Sequence, residues 1–138
     1  VQVDRLLMDG EVVELGGMRF TVHFMPGHTP GSTSWTWRSC EGAQCLDLVY
    51  ADSLTTLSDG EFRYVDHPAF LAATRASFAR VAALPCDLLL TPHPGASGRS
   101  FTDPAASRPM GCDEYADSAE RAFEEQLAAQ RAQTGQPG

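Results

Sequence analysis

Residues 18–31, Met18-Arg19-Phe20-Thr21-Val22-His23-Phe24-Met25-Pro26-Gly27-His28-Thr29-Pro30-Gly31, decide how the chain is read. Over the first part the side chains alternate. Met18, Phe20, Val22 and Phe24 fall on one face and Arg19, Thr21, His23 and Met25 on the other, the period-two signature of a strand. The alternation stops at a loop too rich in proline and glycine to continue a ladder, and that loop carries a histidine. Upstream, Glu11 to Leu15 reads as a strand joined to this one through Gly16-Gly17 as a β-hairpin. Downstream, Thr33 to Arg38 resumes strand with Trp35 and Trp37 on one side. Leu46 to Ala51 is a further strand, with Asp52-Ser53 where it ends.

The second part of the chain changes period. Residues 55–66 read as a surface loop. Asp66 or His67 then caps a helix with Pro68 in its first turn, where a missing N–H costs nothing. Phe70, Leu71, Thr74, Phe78 and Val81 form its buried stripe, and Pro85 ends it. Asp87 to Thr91 is short, apolar and bounded by prolines, which predicts a strand buried on both faces. Gly98 to Gly111 is irregular, and Cys112 to about Gln130 is the last helix, with Tyr115, Ala119, Phe123 and Leu127 in a row. Strands first, then helix–strand–helix, predict an α/β fold whose sheet is covered by helices on one side. Half of a layered fold would leave the other sheet face bare, a physical reason to expect further sequence elsewhere. The expected organisation is one domain over residues 1–133 and a flexible tail over 134–138.

Composition narrows the function. The 138 residues carry a net charge of −8, and every basic residue is an arginine, scattered singly. Such a surface repels phosphate backbones, so no nucleic-acid partner is expected. No apolar run approaches the roughly 20 residues that span a bilayer. The chain opens on Val1-Gln2-Val3-Asp4 without the pattern of a signal peptide, and is expected to be processed or to begin partway through a larger protein.

Cys40, Cys45, Cys86 and Cys112 lack the spacing of a zinc ribbon and allow three pairings. Cys40 and Cys45 flank a hairpin-like turn that can bring them within bonding reach, which leaves Cys86 for Cys112. Two bridges would point to the periplasm or the exterior. The alternative is four buried thiols in a cytosolic protein.

Three stretches carry chemistry, each ending a strand with a polar side chain framed by proline, glycine or both or by small residues: Gly27 to Ser32, Ala51 to Thr55, and Thr91 to Gly95. Functional groups collect where strands of an α/β sheet end, because the sheet places them and the loop exposes them. Imidazole is a good zinc ligand, and the prolines around His28 and His93 stiffen its presentation. A lone loop histidine is more often a solvent-facing or hydrogen-bonded group. It is the pair in matching loops that points to metal. His23, within a strand, and His67, at a helix cap, read as structural.

The stretches PGHTPGSTSWTW (26–37), YADSLT (50–55) and LPCDLLLTPHPGAS (84–97), in that order, resemble the C-terminal half of the class B, subclass 3 metallo-β-lactamases, over nearly the whole chain. A lone GHTPGS is shared with glyoxalases and lactonases; the combination is narrower. The resemblance implies half of an αβ/βα sandwich, with His28 and His93 each contributing one ligand to a pair of Zn²⁺ ions. It implies that Ser53 and Thr55 engage the carboxylate of a β-lactam antibiotic. Ser53 stands where other subclasses have a zinc-binding cysteine, and would hydrogen-bond a water on the metal instead. The lysine other subclasses use for the carboxylate is unavailable in a chain without lysine. Asp52 would stand behind the ligands without binding metal, although in glyoxalase-like relatives an aspartate of this loop bridges the metals. Cys86–Cys112 and Cys40–Cys45 match bridges of the family. The family's HxHxDH motif, which supplies the other ligands, has no counterpart in these residues. The expectation is therefore a periplasmic or secreted zinc-dependent β-lactam hydrolase, active only with the N-terminal half as partner. The alternatives are a zinc hydrolase of thioesters or lactones and a non-catalytic fragment.

Overall fold

The computed structural model describes residues 2–57 and 61–134. The elements run β1 (Val12–Leu15), β2 (Met18–Phe24), β3 (Thr33–Glu41), β4 (Gln44–Tyr50), α1 (Pro68–Ala82), β5 (Leu88–Leu90) and α2 (Cys112–Thr134). The strands form one sheet in the order β1-β2-β3-β4-β5. The first four make an antiparallel meander. Gly16 and Gly17 both hold positive φ, as the tight two-residue hairpin between β1 and β2 demands. β5 pairs parallel with β4, a geometry that needs a long crossover, and α1 lies within it.

Register assigns the faces. Trp35 stands opposite Val22 and Tyr50, and Trp37 opposite Leu48, so these side chains share one face. Thr36 stands opposite Val49, which neighbours Leu89, and these define the other. Both helices cover the second face: Val49, Ala51 and Leu89 are buried in one core with Phe78 and Val81 of α1 and Phe123 and Leu127 of α2. Phe123 is fully buried, its ring edge-on to Tyr64 at 5.0 Å and to Phe78 at 5.6 Å. The first face has no covering layer among the described residues. Val13, Leu15, Phe20, Trp35, Trp37 and Tyr50 line an open apolar groove along it.

The α/β class and the one-sided helical cover are as expected. β5 differs: Leu89 is buried but Leu88 and Leu90 are only half-buried, because helices cover one sheet face and, among the described residues, no second layer covers the other. β3 and β4 reach closer to their turn than expected, to Glu41 and from Gln44, since the Cys40–Cys45 bridge continues the ladder. The 55–66 loop ends in a 3₁₀ turn, Tyr64–Asp66, and His67 takes the helix N-cap position without a side-chain cap bond. α1 stops at Ala82, ahead of Pro85, and Ser77 joins its buried stripe. α2 continues to Thr134. The remainder of the expected tail, residues 135–138, lies outside the described residues. Both cysteine pairs are bonded as expected, Cys40–Cys45 and Cys86–Cys112, and none of the four is free. No helix among the described residues is long and apolar enough to cross a membrane.

Candidate functional site

β2 and β4 run in the same direction, being two antiparallel steps apart, and β5 is parallel to β4. Their C-terminal ends therefore meet one edge of the sheet. That edge receives the loops bearing His28, Asp52 to Thr55, and His93.

The His28 loop is held from both sides. Met25 N–H donates to Ser32 O across its neck at 2.9 Å, and Ser32 Oγ accepts Thr29 N–H at 3.1 Å. From the helical side, Tyr64 Oη donates to Gly27 O and Ser77 Oγ to Pro26 O, each at 2.8 Å. Gly27 approaches α1 closely: a Cβ there would stand 3.2 Å from Thr74 Cγ2. The His28 ring is fixed by one bond, Nδ1 to Thr55 O at 2.6 Å. A carbonyl only accepts, so Nδ1 carries the proton and the lone pair of the neutral ring sits on Nε2. A metal-binding histidine is typically set this way, its second nitrogen donating to a carbonyl.

The 52–56 loop is tied at several points. Asp52 N–H donates to the fully buried Ser34 Oγ at 3.0 Å, and Asp52 Oδ1 accepts Ser53 N–H at 2.8 Å. Ser53 Oγ accepts Thr55 N–H at 3.3 Å, and Leu54 N–H donates to Tyr115 Oη at 3.2 Å. Thr56 Oγ1 donates to Gln126 Oε1 at 2.7 Å. Thr55 is exposed, whereas Ser53 is buried to 8% exposure. Asp52 is thus bonded within its own loop.

His93 is exposed on a loop stiffened from below. Thr91 Oγ1 donates to His93 O and lies 2.9 Å from Ser97 Oγ, which is fully buried. The turn closes at Gly98, with φ +71° and a position where a Cβ would meet Arg108 O at 2.0 Å, so only glycine fits. Ala96 of this loop and Thr55 line the same small groove. The three loops adjoin: His28 through its bond to Thr55, and the His93 loop through this groove.

The other histidines behave differently from these. His23 Nε2 lies 2.8 Å from Thr36 Oγ1, and burial, aided by Arg80, lowers its pKa. His67 stacks on Phe62 at 4.7 Å, and both line an apolar groove that also includes His28. Ser34, Tyr64 and Tyr115, which hold the site loops, escaped the sequence reading. Ser34 carried the one visible signal, a serine beside two tryptophans in a strand, and therefore a polar group on the core face.

Among the described residues no group of three or more His, Cys, Asp or Glu is placed to hold a metal ion. The free Nε2 of His28 has the donor chemistry that zinc takes.

No family model matches the chain. Solved structures do. The metallo-β-lactamase MIM-1 of Novosphingobium pentaromativorans is 40% identical with a TM-score of 0.84, over 96% of this chain and 50% of that one. The subclass B3 metallo-β-lactamase MEM-A1, from a soil metagenome library, is 39% identical with a TM-score of 0.81, over 94% and 53%. The subclass B3 enzyme BJP-1 of Bradyrhizobium japonicum is 31% identical with a TM-score of 0.79, over 97% and 54%. Among curated proteins, a hydroxyacylglutathione hydrolase of Gloeobacter violaceus is 34% identical over 61 residues, 44% of this chain and 24% of that protein. The chain spans about half the length of the solved structures it matches.

Proposed function

We propose that this chain, which corresponds in fold and sequence to the C-terminal half of a subclass B3 metallo-β-lactamase, supplies part of the zinc site of a hydrolase that opens the β-lactam amide bond. The observation that carries the proposal is the bond from His28 Nδ1 to Thr55 O, which aims a lone pair from Nε2 and joins the metal-ligand loop to the substrate loop.

In this reading His28 serves one zinc ion and His93 the other. The remaining ligands come from an N-terminal half that packs on the open sheet face beside Trp35 and Trp37. Bound zinc would supply Lewis-acid polarisation of the carbonyl and make water acidic enough to attack near neutral pH. The chain's own residues bind and orient. Thr55 and Ser53 donate hydroxyl hydrogen bonds to the substrate carboxylate, work that falls to them in a chain without lysine. Asp52, through the Ser53 N–H, keeps the loop in the conformation that presents both. The disulfides favour an exported protein, in the periplasm or outside the cell.

The short hydroxyacylglutathione hydrolase likeness favours a second reading, a zinc hydrolase of thioesters. The full-length protein is to be purified with zinc and assayed on nitrocefin and on a hydroxyacylglutathione thioester, with bound metal measured. Two zinc ions and nitrocefin turnover support the first reading. Thioester turnover alone moves the assignment to the second, and a metal-free inactive protein removes both.

A further inference from the structure

The loop bearing Ser53 and Thr55 leans on one buried residue that is neither a candidate ligand nor a candidate substrate contact. Tyr115 is 4% exposed, and its hydroxyl oxygen accepts the N–H of Leu54, itself 3% exposed, across 61 residues of sequence. Leu54 lies between the two hydroxyl residues, so this bond sets the peptide planes on which both side chains are mounted. With both residues almost fully buried, the Leu54 N–H loses its partner if the hydroxyl is removed, and the loop is then held less firmly. Tyr115 is itself well fixed. It sits one turn beyond Cys112, which is joined to Cys86 ahead of β5, and Ala116 and Phe123 of the same helix are in the core. Burial raises the phenol pKa, the Leu54 N–H bond opposes that rise and the Asp52 charge adds to it, so Tyr115 stays a neutral hydroxyl across the physiological range.

We propose that Tyr115 is a positioning residue for carboxylate recognition, holding the 53–55 backbone from α2 so that the Ser53 and Thr55 hydroxyls converge on the substrate. The inference rests on the reading that those hydroxyls bind the carboxylate, and its test separates the two.

The test uses the full-length zinc protein carrying Tyr115→Phe, which keeps the ring and its packing, beside Ser53→Ala/Thr55→Ala. Nitrocefin and its carboxylate methyl ester are the substrates. Loss of one neutral hydrogen bond is expected to raise KM for the acid about threefold to tenfold, with kcat and zinc content little changed and no rise for the ester. Leu54 amide exchange, followed by NMR, is expected to quicken about tenfold. Equal changes for acid and ester, which a merely structural role would give, overturn the inference, as does an unchanged Leu54 exchange rate. If the Ser53/Thr55 variant distinguishes acid from ester and Tyr115→Phe does not, the role of Tyr115 falls alone. If neither variant distinguishes them, the carboxylate reading falls and takes the inference with it.

Discussion

Single residues divide by whether their role is local. The placing of His28 and His93 on stiff loops at strand ends is legible, because proline and glycine stand beside them. The position of Ser53 and Thr55 just past the end of a strand is legible too, while the carboxylate role expected for them comes from the family resemblance. The tautomer of His28 is not legible, since it depends on a carbonyl 27 residues away, and the supports from Ser34 and Tyr115 arise from contacts 18 and 61 residues apart. Sequence pattern reports faces and turns but not which polar atoms meet across them. At this scale the substrate contacts can be weighed directly. Ser53→Ala with Thr55→Ala in the full-length enzyme is expected to raise KM for β-lactams about tenfold, more than it lowers kcat, because contacts made equally in ground and transition states act on KM. Steady-state kinetics check it, and an unchanged KM would put the carboxylate on another group, such as an arginine.

Among elements, the hairpin, the meander and both helices follow from periodicity, while β5 shows where pattern fails. An apolar run cannot say whether its second face is covered, and Leu88 and Leu90 stand on the side without helices. The disulfides tie elements of different kinds. Cys40–Cys45 closes a hairpin, and Cys86–Cys112 fastens the entry of β5 to the start of α2 across 26 residues. By chain entropy they stabilise by roughly 2 and 3.5 kcal/mol before strain. Thiol titration of the denatured, unreduced protein is expected to find no reactive thiol, and four would overturn both bridges. A polar tether links the N-terminal segment to α1: Arg80 Nη1 pairs with Asp9 at 2.9 Å, and Arg80 Nη2 lies 3.4 Å from His23 Nδ1. Burial, then Arg80, depresses the His23 pKa, and the hydrogen bond from Arg80 is the first cause lowering that of Asp9. Between each folded value and its higher unfolded one, the unfolded chain binds more protons. The contribution of these two groups is therefore complete above about pH 6.5 and declines as pH falls, first through His23 and then, below about 3.8, through Asp9. His23→Gln is expected to flatten the decline that begins below about pH 6.5, as read by denaturant melts at each pH.

The described residues form a sheet with helices on one face and an open groove of part-exposed aromatic side chains on the other, and the chain spans about half the length of the structures it resembles. The bare face was foreseeable, because a chain with one run of strands and two helices cannot cover both sides. What should pack there could not be read from these residues. Residues 1–138 alone are expected to bind zinc weakly and to leave nitrocefin intact, while the same residues joined to an N-terminal half bind two ions and turn over. One imidazole per ion is far from the full ligand sets that give structural zinc peptides about 10–16 kcal/mol. Metal analysis after dialysis, beside the full-length protein, decides this. Tight zinc and turnover from the short chain would mean that His23, Asp52 or His67 completes the site.

The hydrogen bond from His28 to the carbonyl of Thr55 ties the proposed metal ligand to the proposed substrate loop through one peptide unit. Under the proposed function, a substrate carboxylate that settled the Thr55 backbone would also settle the imidazole offered to the metal, and a metal that oriented the imidazole would press back on the same carbonyl. Such sites exchange free energy symmetrically. In the full-length protein, a non-hydrolysable carboxylate ligand is expected to tighten zinc at the His28 position by the same factor by which zinc tightens the ligand. Competition with a chelator, with and without that ligand, measures one side, and calorimetry at two zinc concentrations the other. If the proposed function holds, depletion of zinc would weaken the full-length protein twice over, by loss of the ion and by a looser hold on the carboxylate ligand.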